Sequence, residues 1–455
     1  APALNVAKPN KATPGKVKPM RGALWGWLLV GALLLAGVAY GGYQLYQQKQ
    51  IRDYLARAEL RLQSGSLMTP VRDNADYLFR QVLTLDPDNS AALDGLARVL
   101  QARIEQYLKL AEQRLLDSET TKTYVGGHGD ALFGSLLSQL VLGADNPLLV
   151  ERAAATQTPG GTGALRLSAD FIAQCLPGKG IWLSDPTWPI HESIFAAAGL
   201  RVGHYPYVGA DNQLNVEAML AALSHVPKGD VVLLHACCHN PTGFDLTPRD
   251  WKRVLEIVKA RDLLPLIDFA YQGFGDGLEQ DAWAVRLFAS ECTELLITSS
   301  CSKNFGLYRE RTGGLVVCAH TAQKLQDVRS QLAFIARNLW STPPAHGAAV
   351  VATILADHEL KALWASELEG MRKRVASLRS GLVDALRPHG LAERFAHIAE
   401  QRGMFSYTGL TPQQVQRLRD EFSVYMVGSG RANMAGLDAN RLDQLAKAIA
   451  TVCTP

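Results

Sequence analysis

The chain has 455 residues, of which 47% are apolar and 20% charged, and its formal net charge is +3. This length exceeds one small domain and predicts two or three folded units. A charge so close to neutral excludes a broad nucleic-acid-binding surface. The seven cysteines have no regular spacing, which argues against a secreted disulfide framework and favours reduced thiols.

The first 48 residues form two contrasting segments. Residues 1–21 contain five basic residues among Pro, Ala and Asn, which predicts a disordered basic tail. Residues 22–48 carry no charge and have aromatic side chains near both ends, which predicts a transmembrane helix. The alternatives are a buried core helix and a cleavable signal sequence. Basic residues flank the segment on both sides, so its orientation stays open. We expect a single-pass protein of the bacterial inner membrane, and the alternative is a cytoplasmic location.

Residues 50–118 show a helical pattern with an internal repeat. Residues 51–64 (IRDYLARAELRLQS) match residues 104–117 (IEQYLKLAEQRLLD) in register, and residues 75–85 and 90–103 also have helical periodicity. Residues 86–89 (DPDN) break the pattern. The segment resembles a tetratricopeptide hairpin, which implies a helical module that binds a protein partner. A plain helical stalk is the alternative.

After about residue 120, short apolar runs alternate with helical stretches, which predicts an α/β fold. The predicted strands are residues 181–184, 231–235, 264–268, 295–298 and 314–318. From about residue 345 the pattern is mainly helical. We therefore predict a large domain over 119–370, with a mixed, mostly parallel sheet, and a smaller α/β domain over 371–455.

Polar clusters follow four of these strands, where ligands bind in α/β sheets. Their sequences are DPTW (185–188), HNPTG (239–243), DFAY (268–271) and SSCSK (299–303). The glycine-rich segment 158–164 (TPGGTGA) precedes a helical run and is a candidate phosphate cradle, although for the motif taken alone a simple turn is the better interpretation. Cys237 and Cys238 lie between two histidines, but no second ligand pair has zinc-site spacing, so we predict no metal site.

The order of these clusters, with Arg311 eight residues after Lys303 and a late SGR ending at Arg431, resembles the fold-type I aminotransferases. The similarity spans residues 110–453 and is closest to the bacterial aromatic-amino-acid and aspartate subgroup. These enzymes use pyridoxal 5'-phosphate (PLP). The resemblance implies that Lys303 holds PLP as a Schiff base and then moves the substrate proton, with Asp268 paired to the ring nitrogen.

The remaining site residues are also implied by the resemblance. Tyr271 and Asn240 would bond the ring hydroxyl oxygen, and Trp188 would stack on the ring. The residues that would hold the phosphate are Gly161, Thr162, Ser300 and Arg311, with Tyr124 reaching a neighbouring subunit's phosphate. Arg431 would bind the substrate α-carboxylate and Arg337 the distal carboxylate across a homodimer interface.

The sequence departs from the family at its amino-terminal side. The family's segment before the helix that precedes Tyr124 has no counterpart here, and the predicted span and repeat stand in its place. Two hypotheses follow. The chain is an aminotransferase acting on an amino acid and a 2-oxo acid, or it is a membrane-anchored helical-repeat interaction protein with an inactive, truncated transferase domain.

Overall fold

The computed structural model describes residues 21–67, 72–209 and 212–454, and omits side chains for residues 21–36, 39, 100–101 and 103–106. The chain divides into two compact units, residues 1–102 and 103–455. The predicted basic tail lies outside the described residues, apart from the backbone of Arg21.

The first unit is helical. It contains α1 (Arg21–Gln63), α2 (Ala75–Leu85) and the first half of α3 (Ser90–Ser118). Asn74 caps α2 by accepting a hydrogen bond from the Tyr77 N–H group (2.8 Å). Apolar side chains from all three helices and from the loop after α1 form a small core, made of Ala58, Leu67, Ala75, Leu78, Phe79, Val82, Ala92 and Val99. The predicted helix 75–85 and the break at 86–89 are therefore confirmed.

Two predictions for this region are not supported. Among the described residues, no helix combines the length and the apolar composition needed to cross a bilayer. Much of the predicted span, residues 22–36, lies outside the described side chains. The tetratricopeptide interpretation is unsupported because the two repeat copies are not separate, equivalent helices. The first copy continues α1, and the second is the end of α3.

The second unit contains the sheet and most helices. Its strands are β1 (Ala153–Pro159), β2 (Gly180–Asp185), β3 (Arg201–Pro206), β4 (Val231–His235), β5 (Leu264–Phe269), β6 (Leu295–Ser300), β7 (Thr312–Cys318), β8 (Phe405–Tyr407) and β9 (Arg431–Asn433). Its helices are α4 (Ala131–Leu142), α5 (Leu148–Glu151), α6 (Gly160–Cys175), α7 (Ile190–Ala197), α8 (Val216–Leu223), α9 (Pro248–Ala260), α10 (Leu278–Asp281), α11 (Trp283–Glu291), α12 (Ala322–Trp340), α13 (Ala345–Ala356), α14 (His358–Leu386), α15 (Ala392–Phe395), α16 (His397–Glu400), α17 (Pro412–Phe422) and α18 (Leu442–Cys453).

The main sheet has seven strands in the order β1-β7-β6-β5-β4-β2-β3. Strand β7 runs antiparallel to both of its neighbours, and the pairs from β6 to β3 are parallel. All five predicted strands are confirmed, while β1 and β3 were not predicted. Strands β8 and β9 form a separate antiparallel pair. The predicted mixed, mostly parallel sheet is therefore present.

Both faces of the sheet are covered, because successive side chains of a strand point to opposite sides. In β4, Val232 and Leu234 join one apolar core, and Val231 and Leu233 join the other. A third core lies between α14, α17 and α18. The predicted domain boundary at 370/371 stays a prediction.

Helix α14 connects two of these cores. Leu360, Trp364 and Leu368 are buried in a sheet-covering core, whereas Val375 and Leu382 are buried in the third core. One unbroken helix of 29 residues thus packs on both lobes of the second unit.

Candidate active site

The polar residues that follow the parallel strands meet at one edge of the main sheet. Strands β2, β4, β5 and β6 all end there, because parallel strands share the same direction. The edge opens into a cavity of about 320 Å³. It is lined by Gly161, Thr162, Leu165, Trp188, Asn240, Asp268, Ala270, Tyr271, Ser300, Ser302, Lys303, Tyr308, Arg311, Phe405 and Arg431. The structure thus brings together ten of the twelve predicted site residues.

One end of the cavity is built to receive an anion. Helix α6 begins at Gly160, so the free backbone N–H groups of its first turn face the cavity together with Arg311. Gly160 has φ +72°, and a Cβ atom there would lie 2.8 Å from Arg311 Nη2. A Cβ atom at Gly161 would lie 3.1 Å from Ser300 Cβ. Glycine keeps this cradle open, and its donor groups fit a phosphate.

Asp268 is held as an anion at the other end of the cavity. Its Oδ2 atom lies 3.1 Å from His191 Nε2, and His191 Nδ1 lies 2.8 Å from Thr187 Oγ1. The tautomer with the proton on Nε2 satisfies both bonds. Burial acts to raise the pKa of Asp268, but the His191 hydrogen bond and nearby positive charge outweigh it and leave that pKa lowered. The carboxylate can therefore pair with a protonated ring nitrogen.

Lys303 lies between these two ends. Its Nζ atom is 4.9 Å from the centroid of the Tyr271 ring. Burial lowers the pKa of Lys303, and Arg311 acts in the same direction, while Asp268 opposes them. A lowered amine pKa increases the neutral, nucleophilic fraction that Schiff-base formation requires.

Tyr271 and Asn240 form a hydrogen-bonded pair beside the lysine. The Asn240 Nδ2 atom donates to the Tyr271 hydroxyl (3.3 Å). Burial raises the pKa of Tyr271, so its hydroxyl stays protonated at neutral pH. The Asn240 Oδ1 atom accepts from Arg431 Nη1 (3.3 Å), and the Arg431 guanidinium lies 4.7 Å from the Phe405 ring centroid. This places a cation where a carboxylate could bind.

Two predicted residues do not line the cavity of this single chain. The Tyr124 side chain is 91% exposed, and Arg337 is exposed near the end of α12. Both were predicted to act across a subunit interface, and that role stays a prediction.

The sequence interpretation missed two residues that act at the site. His191 is fully buried against Asp268, but it lies in a helix and belongs to no recognisable motif. Phe405 lies on the short strand β8, far along the chain from the other clusters. The periodicity of the sequence gave no signal for either contact.

The histidines near Asp268 raise the question of a metal. Ligand atoms of His191, His235 and Asp268 lie within 4.8 Å of one another. Burial lowers the pKa of His235 to about 3, so this imidazole is neutral at physiological pH. The sequence analysis considered a metal at Cys237 and Cys238 with their flanking histidines. Of the three residues here, only His235 belongs to that cluster. The predicted absence of a metal site stays a prediction.

Comparison with known proteins identifies the family. The sequence matches the family model described as aminotransferase class I and II over residues 93–449. The chain belongs to the class I and II aminotransferases. The cradle, Lys303 and Asp268 fit PLP, and this aminotransferase is PLP-dependent. The predicted fold type and cofactor are therefore confirmed.

Several relatives match this aminotransferase over most of their length. It is 74% identical to an aromatic-amino-acid aminotransferase of Pseudomonas aeruginosa over 360 residues, 79% of this chain and 89% of that protein. An aspartate aminotransferase of Escherichia coli is 46% identical over 347 residues, 76% of this chain and 88% of that protein. The crystal structure of the Burkholderia pseudomallei aromatic-amino-acid aminotransferase covalently bound to pyridoxal phosphate has a TM-score of 0.74 and 44% identity, covering 76% of this chain and 87% of that one.

Asp245, which bonds the loop that carries Asn240, leads us to expect a pH-dependent stability. Its carboxylate accepts the N–H groups of Cys238 (2.8 Å) and His239 (3.0 Å). Burial raises the pKa of Asp245 to about 6, although these two bonds oppose the change. Because the ordinary value is 3.8, the folded state binds more protons between pH 3.8 and 6. This contribution to stability is complete below pH 3.8 and is lost as the pH rises through 6.

We therefore expect the stability of the wild type, relative to Asp245→Asn, to fall as the pH rises. The Asp245 residue as a whole is half-buried, so solvent screening weakens the effect and we expect a fall of roughly 2 kcal/mol between about pH 4 and pH 7.5. Urea unfolding of both proteins at the two pH values measures it. A difference in unfolding free energy that does not change with pH would contradict the assignment.

Proposed function

We propose that the chain transfers the amino group of an aromatic amino acid, or of aspartate, to 2-oxoglutarate through a PLP Schiff base on Lys303. The observation that carries this proposal is the single cavity in which Lys303, Asp268, an anion cradle and Arg431 converge. When bound, PLP withdraws electrons from the substrate α-carbon. The side chains of the chain supply binding, orientation and proton transfer.

Four side chains carry out the proton transfer, charge pairing and carboxylate binding in this proposal. The Lys303 amine, released when the substrate amine takes its place, moves the proton from the substrate α-carbon. Asp268 keeps the ring nitrogen protonated, and His191 keeps Asp268 ionised. Arg431 binds the α-carboxylate, because its planar guanidinium can form two parallel hydrogen bonds.

Other side chains hold the cofactor in place. Trp188 would stack on the ring, while Asn240 and Tyr271 would bond its hydroxyl oxygen. The groups that would hold the phosphate are the amide groups of Gly161 and Thr162, the Ser300 hydroxyl and the Arg311 guanidinium. The lining of the cavity supports these roles.

Two kinds of relative bear on the substrate. The similar proteins include both aromatic-amino-acid and aspartate aminotransferases. The 74% identity to an aromatic-amino-acid aminotransferase, against 46% to the aspartate aminotransferase of Escherichia coli, favours aromatic substrates. We therefore propose phenylalanine and tyrosine as the preferred donors, with aspartate as a weaker one.

A direct assay tests the function. The purified chain is loaded with PLP, its visible Schiff-base band is recorded before and after borohydride, and transfer from phenylalanine or tyrosine to 2-oxoglutarate is measured. A borohydride-sensitive band together with transfer supports the proposal. A band without transfer would favour the alternative of an inactive, scaffold-like domain.

Arg337 provides a prediction about assembly. We propose a homodimer in which Arg337 of one subunit binds the distal carboxylate in the other subunit's cavity. Arg337→Ala should raise the KM for aspartate and 2-oxoglutarate by about 100-fold, because a charge-assisted bidentate pair is lost. The KM for phenylalanine should change little. Steady-state kinetics with each substrate measure this contrast, and Arg417→Ala, on the exposed face of α17, is the control.

A mixing experiment separates action across subunits from action within one. Lys303→Ala and Arg337→Ala, each weak on aspartate, are unfolded and refolded together. In a mixed dimer, one cavity would combine an intact Lys303 with an intact Arg337, so activity on aspartate should return. If the mixture is no more active than its parts, Arg337 does not act across an interface.

The location of the enzyme is a separate proposal. We propose attachment to the bacterial inner membrane through residues 22–48, supported by their lack of charge. We also propose that the helices of residues 50–118 offer a surface to a protein partner. Protease treatment of spheroplasts tests the first idea. Recovery of the chain in the soluble fraction after lysis would overturn it.

A further inference from the structure

Arg379 is a fully buried arginine outside the cavity. Its side chain projects from α14 and is 1% exposed. Among the residues that the structure describes, no carboxylate forms an ion pair with it. An arginine buried without an acidic partner is unusual, because removing a charge from water costs free energy that must be offset by hydrogen bonds.

The two terminal nitrogens of the Arg379 guanidinium bond mainly to one short segment of chain, whereas its buried Nε–H group has no partner among the described residues. Its Nη2 atom donates to the carbonyl oxygens of Arg402 (3.2 Å), Gly403 (2.8 Å) and Phe405 (2.5 Å). Its Nη1 atom donates to Ser406 Oγ (2.9 Å) and to the carbonyl oxygen of Ile398 (3.1 Å). We call residues 401–407 the clamp segment. Four of the five hydrogen bonds of Arg379 end on it.

The clamp segment also packs against the loop that carries Asn240. The Arg402 N–H group donates to the Gly243 carbonyl (2.8 Å), and a Cβ atom at Gly243 would lie 2.6 Å from the Phe405 carbonyl oxygen. A Cβ atom at Gly403 would lie 2.3 Å from Cys238 Cβ. The clamp segment is therefore tightly packed between Arg379 and the active-site loop.

Phe405 connects the clamp segment to the cavity. Its ring lines the cavity, lies 4.7 Å from the Arg431 guanidinium and stands edge-on to Tyr271, with centroids 6.4 Å apart. A guanidinium over an aromatic face is held by the ring's quadrupole, so a shift of Phe405 moves the favoured position of Arg431.

We propose that Arg379 is a positioning residue, which sets the carboxylate-binding geometry of Arg431 by fixing the clamp segment and Phe405. This rests on the proposed function, in which Arg431 binds the substrate carboxylate. Lysine could keep the positive charge but could not reproduce the planar fork that reaches four groups of the clamp segment at once. Burial lowers the pKa of Arg379 to about 10, which leaves it charged at neutral pH.

The test uses Arg379→Met and Arg379→Lys in the PLP-loaded full chain. The probe is 3-phenylpropionate, a carboxylate that binds without reacting, and its Kd is read from the visible absorbance. We expect Kd to rise about tenfold in Arg379→Met and less in Arg379→Lys. The Schiff-base band should persist, and the KM for phenylalanine should rise more than kcat falls. Arg387→Met, an exposed arginine at the end of the same helix, should behave as wild type.

A second background tests whether Arg379 acts through Phe405. In Phe405→Leu, adding Arg379→Lys should change Kd by less than about twofold, because the route to Arg431 is already broken. Equal effects of Arg379→Lys in both backgrounds, or an unchanged Kd with only a lower Tm, would overturn the proposal. If Arg379→Met does not fold, the Lys variant decides. Binding is measured without turnover, so absent transfer would count against the proposed function and not against this role.

Discussion

Lys303→Ala removes the visible Schiff-base band and lowers amino transfer by at least about 10⁴-fold. Two losses combine in this variant, since the same amine forms the covalent bond and moves the substrate proton. The cavity retains its anion cradle, because Gly161, Ser300 and Arg311 are untouched. PLP should therefore still bind, but without a covalent link to the chain.

Absorbance spectra with and without borohydride, together with a coupled transfer assay, measure both losses. Lys324→Ala, on the exposed side of α12, is the matched control and should keep the band and the activity. A Lys303→Ala protein that still shows a borohydride-sensitive band would place the covalent link on another lysine.

The second large effect is expected for Asp268→Asn. The amide keeps the shape of the carboxylate and can still accept the His191 hydrogen bond, so the fold should persist. It cannot provide the negative charge that keeps the cofactor ring nitrogen protonated. We expect kcat to fall by about 1000-fold, the size of effect seen when one preorganised electrostatic partner is lost.

Kinetics and the spectrum of the bound cofactor test this variant together. The control is Asp230→Asn, because Asp230 is also a buried carboxylate but lies before β4, at the opposite end of the sheet. Its activity should stay close to that of the wild type. A similar loss in both variants would show that the effect comes from a weakened sheet and not from the missing charge.

The sequence was enough to predict that the residues at the strand ends lie close together, because each of them directly follows a predicted strand. Once β4, β5 and β6 are recognised as parallel, Asn240, Asp268 and Lys303 must share one edge. The strands themselves were identifiable by their short apolar runs. The family resemblance then assigned a task to each polar side chain.

Other features depend on contacts that no local pattern contains. Strand β1 (AAATQTP) and strand β3 (RVGHYP) lack a long β-branched run, and pairing with β7 and β2 makes them strands. His191 and Arg379 lie on helices and bond groups 77 and up to 27 residues away. The continuity of α1 and α3 was missed because the repeat suggested helix breaks where the backbone has none.

Helix α14 restricts the relative movement of the two lobes that it joins. Leu368 is the last of its residues buried in the sheet-covering core, and Val375 is the first buried in the third core. Between them, Glu369 pairs with Arg372 and Lys373 on the helix surface. A movement of one lobe relative to the other must therefore bend α14 within fewer than two turns, because no loop interrupts the helix there. The opening angle of the cleft is then limited by how far an intact helix can bend.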